Sequence, residues 1–322
     1  MFISYAQNFE DVILNRIFGA QKSGFYIDIG AQHPDNDSVT KAFSDRGWQG
    51  INIEPVPQYY EFLQQARERD INLNFAIGKA ESTLEFYELE DTGLSTFDLQ
   101  TASEIADKDG YKIRTYQVPV KTLADVCQQY VTEQIDFLKI DVEGWEENVI
   151  LGHDWEQFRP IVVLLEATIP NSPVRTQTNI RQILESEDYE YVYFDGLNDY
   201  YLAAEHNHLK EHFQTPPNVF DKFVSCHLIE AQNITKEKER ELHILNNKYQ
   251  DQFYEIKRLT QYIGEQQQIH QEKSDRLSHQ INQLQAQLFE VQQLVAAMET
   301  SKFWKLRSAW FKLRKLVGIQ GD

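Results

Sequence analysis

The sequence predicts an α/β protein: a doubly wound, mostly parallel sheet with helices on both faces, followed by a long helical tail. Three observations carry this expectation. Over the first 205 residues, short apolar runs alternate with helical patterns. All nine prolines lie at or before Pro217, and eleven of the fourteen glycines at or before Gly196. From Leu242 to Met298 an apolar residue recurs at nearly every seventh position.

The strand runs are residues 25–30, 50–54, 72–77, 135–142, 161–166 and 189–194. Several are apolar almost throughout, as strands covered on both faces should be. Helix patterns fall at 38–46, 58–69, 123–130 and 145–151, and Pro57 suits a first helical turn. Residues 84–89 and 111–120 read as an inserted pair of extended segments. Residues 189–203, broken at "DGLND", read as a closing hairpin. The expected division is a globular domain over 1–230, a coiled-coil helix over 231–300 and a basic amphipathic tail over 301–322.

In the second segment, Leu242, Tyr249, Ile256, Ile263, Leu277, Leu284, Val291 and Met298 keep the heptad, with His270 as the exception. The partner positions are more polar, as at Gln252, Gln266 and Lys273. So narrow a stripe needs a partner to bury it, which favours a homo-oligomerisation stalk over a solitary solvated helix. In the third segment, Phe303, Leu306, Trp310, Leu313 and Val317 form one face, widened by Trp304 and Phe311, among six lysines and arginines. That pattern suits a helix lying on an anionic membrane surface. The competing reading is a helix docked on an acidic partner.

The net charge of −19 argues against nucleic acid as a partner of the globular part. Two cysteines, Cys127 and Cys226, make no disulfide framework. No secretory leader pattern opens the chain, and no apolar run approaches the ~18 residues of a membrane span. The expected location is the cytoplasm, at the inner face of a membrane through the tail.

In an open α/β sheet, ligands bind beyond the carboxyl ends of the strands. Three such ends are polar here: "DIGA" at Asp28, "INIEP" ending on Glu54, and "KIDVEGWE" from Lys139. Gly30 lets a backbone approach a ligand closely, and Glu54 can accept both hydroxyls of a ribose. A dinucleotide site wants three glycines around a pyrophosphate. Here Gly30 stands alone between Gly24 and Gly47, and Asp35 and Asp37 crowd the turn. Carboxylates suit a sulfonium cation, so S-adenosylmethionine fits better than NAD.

For transfer to an acceptor oxygen, Asp141 and Glu143 are the favoured acids, one of them as base or as ligand of a divalent cation such as magnesium. Two-residue alternation places them on one strand face with Lys139, and Glu166 on the neighbouring strand is a partner for Lys139. His33 and His153 are rival bases. No His/Cys cluster has zinc spacing.

The ordered motifs "YAQNFED", "FYIDIGAQHPDNDSVT", "GWQGINIEPVPQYYEFL", "NFAIG", "LSTF", "TLADV", "IDFLKIDVEGWEENVILGHDW", "RPIVVLLEAT" and "YFDGLNDYYL" resemble those of FkbM-family methyltransferases, over about residues 1–205. The resemblance implies a Rossmann-like, class I methyltransferase fold with a seven-stranded sheet whose last strand is antiparallel. It implies O-methyl transfer to sugar or polyketide-type hydroxyls. Carried over, Asp28, Gly30 and Ala31 line the methionine and ribose side of the cofactor, with Ser38 reaching it from the first helix. Glu54 holds the ribose, and Asn74 and Ala76 lie near the adenine. Gln7, Glu10 and Asp11 form the pocket rim, where Phe9 replaces a glycine of many relatives. Combined with the stalk and tail, the resemblance leads to a sugar hydroxyl of a cell-surface or lipid-linked glycan as acceptor. The alternatives are a small natural product, a non-catalytic scaffold with a vestigial cofactor fold, and a nicotinamide-dependent dehydrogenase.

Overall fold

The computed structural model describes residues 1–90, 92–169, 172–176 and 178–316. The chain divides into two compact units, Met1–Ile234 and Thr235–Asp322.

The first unit begins with β1 (Phe2–Ser4) and α1 (Glu10–Phe18), followed by β2 (Phe25–Ile29), α2 (Lys41–Asp45), β3 (Gln49–Ile53), α3 (Pro57–Ala66), β4 (Ile71–Leu73) and β5 (Ala76–Ile77). An insertion then contributes β6 (Ser82–Leu89), α4 (Leu99–Asp109) and β7 (Ile113–Lys121). The chain continues through α5 (Leu123–Tyr130), β8 (Phe137–Ile140), α6 (Glu146–Leu151), β9 (Val162–Glu166), α7 (Ile180–Ser186), β10 (Tyr189–Phe194), β11 (Asn198–Ala203) and β12 (Phe223–Ser225).

Seven strands form the central sheet in the order β10-β11-β9-β8-β2-β3-β4. β2 pairs in parallel with both β3 and β8, and β8 with β9, whereas β11 runs antiparallel to β9 and β10. The sheet is therefore mixed rather than uniformly parallel. Two strand patterns need amending. Residues 72–77 do not make one strand: β4 joins the central sheet, and β5 leaves it for a three-stranded sheet with β7 and β6. The run 135–142 gives a strand only over Phe137–Ile140.

Side-chain alternation divides the core between the two faces of the sheet. Ile27, Ile29, Ile51, Ile53, Leu138, Ile140, Val163 and Leu165 belong to one cluster. Tyr26, Phe137, Val162, Leu164, Tyr200 and Leu202 belong to the other. Asp28 and Lys139 are paired positions in the β2–β8 register and share the parity of Tyr26 and Phe137. Two polar side chains thus occupy neighbouring places on an apolar face. The insertion has a small core of its own, Leu89, Ala102 and Ile105.

Of the two remaining helices, α8 (Cys226–Thr300) runs for 75 residues, about 110 Å at 1.5 Å per residue. Its heptad residues are exposed. Ser301 ends it by donating its amide to Ala297 and Met298, and its hydroxyl accepts from the Trp304 amide at the start of α9 (Lys302–Leu316). Phe303, Leu306, Trp310 and Leu313 of α9 are also exposed, while Val317 lies outside the described residues. Among the described residues no helix is long and apolar enough to cross a membrane.

Candidate active site

The ends of β2, β3, β5 and β8 converge on a cavity of about 220 Å³. Gly30 and Ala31 follow β2, and Glu54 follows β3. Ala76 and Ile77 come from β5, and Lys139, Asp141, Val142, Glu143 and Trp145 from β8 and the turn after it. The insertion supplies the opposite wall through Phe86, residues 92–95 and Phe97.

Gly30 adopts φ +75°, and a Cβ there would stand 1.8 Å from the Asp141 carbonyl oxygen. Its smallness is therefore required by the approach of the neighbouring strand end as well as by any ligand. Its amide and that of Ala31 donate to the Ile53 carbonyl, which locks the first turn to the second. Glu54 is buried. Its two oxygens accept from the Gln32 and Val56 amides, at 2.9 and 2.8 Å. Burial pushes its carboxyl up to about 7 despite those bonds.

Asp28 sits beneath this floor and does not line the cavity. Its Oδ2 accepts from Thr40 Oγ1, and its Oδ1 lies 3.2 Å from Lys139 Nζ. The same ammonium donates to the Gly30 carbonyl at 2.8 Å and stands 3.4 Å from Asp141. Burial lowers the lysine's pKa, but Asp28 and Asp141 more than reverse this and leave it raised. The ion pairs of Lys139 are thus with Asp28 and Asp141 rather than with Glu166.

Asp141 and Glu143 belong to a tight turn rather than to a strand face. Glu143 has φ +50° and Gly144 φ +89°. Glu146, in the first turn of α6, holds the turn by accepting from the Val142 and Gly144 amides. The insertion fixes it from the other side, where Thr96 Oγ1 donates to the Glu143 carbonyl at 2.9 Å and Phe97 packs on Trp145. Asp141, Glu143 and Glu166 each present a carboxylate oxygen within 4.8 Å of the others. Burial, reinforced by neighbouring carboxylates, holds both Glu143 and Glu166 well above the ordinary carboxylate range.

Several side chains expected at the site have other work. His33 does not line the cavity; its Nδ1 accepts from the Asp35 and Asn36 amides and caps the turn. His153 is half-buried and packs on Trp155, bonded through Nε2 to the Phe158 carbonyl, and desolvation drives its pKa down to about 4. Ser38 is buried, accepts from Arg67 and contacts Thr40, and Asn74 donates to the Glu54 and Pro55 carbonyls. Neither lines the cavity, whereas Ala76 does.

Of the N-terminal motif, only Gln7 lines the cavity. Asp11 accepts from Ser4 and Tyr5, and Glu10 from Asn8 and Asn198, so both acids brace the fold. Phe9 occupies φ +64°, where a glycine would be unstrained. The residues that sequence reasoning did not single out are Gln32, Tyr59, Phe86 and the 92–95 wall, although the quoted motifs contain Gln32, Tyr59, Leu94 and Ser95.

The walls carry the carboxylates of Asp37, Glu54, Asp141 and Glu143 against the single ammonium of Lys139. Beside them run Ile53, Val56, Phe75, Phe86 and Phe97. An acidic cleft with an apolar, aromatic slot fits a flat heterocyclic ligand that carries positive charge.

No curated protein matches the sequence. Among solved structures, the chain is similar to TehB from Haemophilus influenzae, at 10% identity and a TM-score of 0.28 over 59% of this chain. It spans 60% of the TehB chain. It is also similar to cofactor-bound Rv0187 from MTB, at 11% identity and a TM-score of 0.30, over 63% of this chain and 82% of that one. The family model of the methyltransferase FkbM domain matches residues 28–191, from the Asp28 turn into β10. Since that domain spans more than half of the 322 residues, the chain belongs to the FkbM methyltransferase family.

Proposed function

We propose that this methyltransferase uses S-adenosylmethionine and methylates a hydroxyl oxygen of a sugar in a cell-surface or lipid-linked glycan. The observation that carries the reading is the acidic cavity at the strand ends, closed by the Gly30 turn, Glu54 and the Asp141–Glu143 turn. The cofactor supplies a methyl group already activated by a sulfonium charge.

The chain's own residues then bind, orient and remove a proton. Glu54 is placed to accept hydrogen bonds from ribose hydroxyls with the lone pairs its two amide partners leave free. Gly30 and Ala31 give the floor, and Ala76 with Phe75 and Phe86 the apolar slot. The carboxylates offset the positive charge of the ligand. Asp141, 40% exposed and beside Lys139, and Glu143 serve as the acceptor-side acids, one of them as the base that takes the acceptor's proton or as ligand of a cation that acidifies the hydroxyl. Most of the rate comes from holding the acceptor oxygen in line, since little help is needed at the leaving sulfur. The insertion wall excludes water from that side.

The glycan preference rests on the second unit. An exposed heptad stripe and a basic, aromatic α9 suit a homo-oligomer resting on the inner face of an anionic membrane, where lipid-linked glycans are assembled. The test is full-length protein with methyl-labelled S-adenosylmethionine and a cell extract fractionated into lipid-linked glycan, soluble glycan, protein and small molecules, with and without magnesium. Label in either glycan fraction is expected. Label confined to small apolar products would replace the glycan with a natural product. Failure to bind S-adenosylmethionine in calorimetry would overturn methyl transfer and favour a scaffold.

A further inference from the structure

The acids near Glu143 are compensated in ways that it is not. Asp28 has Lys139 and Thr40, Glu54 has two amides, and Glu146 has two amides. Glu143 is 9% exposed, and its Oε2 is buried with no hydrogen-bond partner. Lys139, the cation on this wall, is already held by Asp28, Asp141 and the Gly30 carbonyl. Buried polar atoms are normally hydrogen-bonded or bound to metal, and the unmet oxygen points to a ligand that completes it.

We propose that Asp141, Glu143 and Glu166 hold one hard divalent cation of the magnesium or manganese class at the acceptor end of the cavity. The donor set is three carboxylates with no imidazole or thiolate, which selects oxygen-loving ions over zinc or copper. The spacing suits it. Oxygens on opposite sides of an ion with bonds of 2.0–2.6 Å stand roughly 4–5 Å apart, and here the three lie within 4.8 Å of one another. The ligands come from two adjacent strand ends, β8 and β9, and the turn that carries two of them is fixed by Glu146 and Thr96.

Glu143 also borders a second groove, lined by Thr101, Glu104 and Lys108 of α4 and by Thr176. A cation held there would therefore stand where the cavity meets this second, partly apolar groove. A pair of neighbouring sugar hydroxyls is the chemistry that would complete the coordination of such a cation. That last step rests on the sugar reading above; the cation site itself does not.

The test uses the full-length chain stripped of metal by chelation and titrated with manganese(II) alone, with the free ion followed by electron paramagnetic resonance. One manganese per chain, displaced by magnesium, is the expected result. Glu143→Gln, Glu166→Gln and Asp141→Asn should each weaken binding at least tenfold, and Glu61→Gln, on the exposed face of α3, should not. Manganese should raise the melting temperature of the native chain but not of Glu143→Gln. The metal-free Glu143→Gln protein should melt no lower than the native one, which separates lost binding from lost fold. No bound manganese, or equal binding in all variants, would overturn the site. Neither cofactor nor acceptor enters the readout. A failed methyl-transfer assay therefore leaves this result standing, and methyl transfer without bound manganese would remove the cation alone.

Discussion

Lys139 Nζ lies 3.2 Å from Asp28 Oδ1 across two adjacent strands, with both side chains buried. The pair answers why a carboxylate stands in the apolar β2: it anchors the ammonium that ties the Gly30 carbonyl to the β8 turn. Removing one partner leaves a buried charge without its mate. Lys139→Met should cost about 3–5 kcal/mol in denaturant unfolding. Adding Asp28→Asn should recover a large part of that loss, and a double variant no better than Lys139→Met would show that the pair is not a unit.

Glu54 should set the pH dependence of cofactor binding. Its carboxyl is pushed up to about 7 by burial, so binding that uses the carboxylate strengthens as pH rises through 7. Glu54→Gln should weaken S-adenosylmethionine about tenfold to a hundredfold, the range for hydrogen bonds to a charged group. It should also flatten the pH profile. Calorimetry at pH 6 and 8 reads both; an unchanged profile in the variant would assign the dependence elsewhere.

His153 makes an opposite kind of contribution to stability. It is neutral in the fold, with its pKa driven by burial to about 4, against about 6.5 when unfolded. The unfolded chain therefore binds the extra proton first. The contribution of His153 is complete above pH 6.5 and is lost as pH falls from 6.5 toward 4, by at most about 1.4 kcal/mol per pH unit. Buried acids such as Glu10, raised to about 7, slope the other way, so the wild-type curve alone would mislead. The difference in stability between the native chain and His153→Phe should change steeply between pH 6.5 and 4 and level off above.

The stalk should govern assembly. A chain ending at Ile234 keeps the first unit and loses the exposed heptad stripe. Light scattering should find it monomeric and the full-length chain dimeric or larger. A monomeric full-length chain would make α8 a spacer.

The tail should govern membrane binding. Removing residues 301–322 should abolish sedimentation with vesicles rich in anionic lipid and leave turnover of a short soluble sugar intact. Binding by the full chain should weaken with added salt. Loss of turnover on the soluble sugar would show that the tail serves the first unit and not a membrane.

How much of this was legible in the sequence depends on whether a residue's neighbours lie along the chain or across it. The apolar runs of β2, β3 and β9 mark buried strands, and the polar strand ends at Gly30 and Glu54 mark where the cavity opens. The segment "LQTASEIADKDG" hides α4, because only Ala102 and Ile105 are buried and no apolar stripe forms. Residues 92–95 carry no periodicity at all, so their place on the cavity wall could not be read. Lys139 and Asp28 are 111 positions apart and meet only through strand register. Near strand ends, the sequence suggests a base in His33 and cofactor contacts in Ser38 and Asn74. In a tight turn, though, backbone amides and carbonyls need partners first, and these side chains supply them.

The cavity wall built by the insertion has a consequence for how this protein can diverge. Its residues belong to an element with its own small core of Leu89, Ala102 and Ile105, and Thr96 joins it to the Asp141–Glu143 turn through a main-chain carbonyl rather than through a carboxylate. The wall keeps its own shape through the Thr92 and Ser95 hydroxyls, which accept from the Leu94 and Leu89 amides. On the proposed reading, acceptor preference and methyl-transfer chemistry lie on separable stretches of chain, so a new substrate can be acquired by remodelling one wall without rebuilding the turns beneath it.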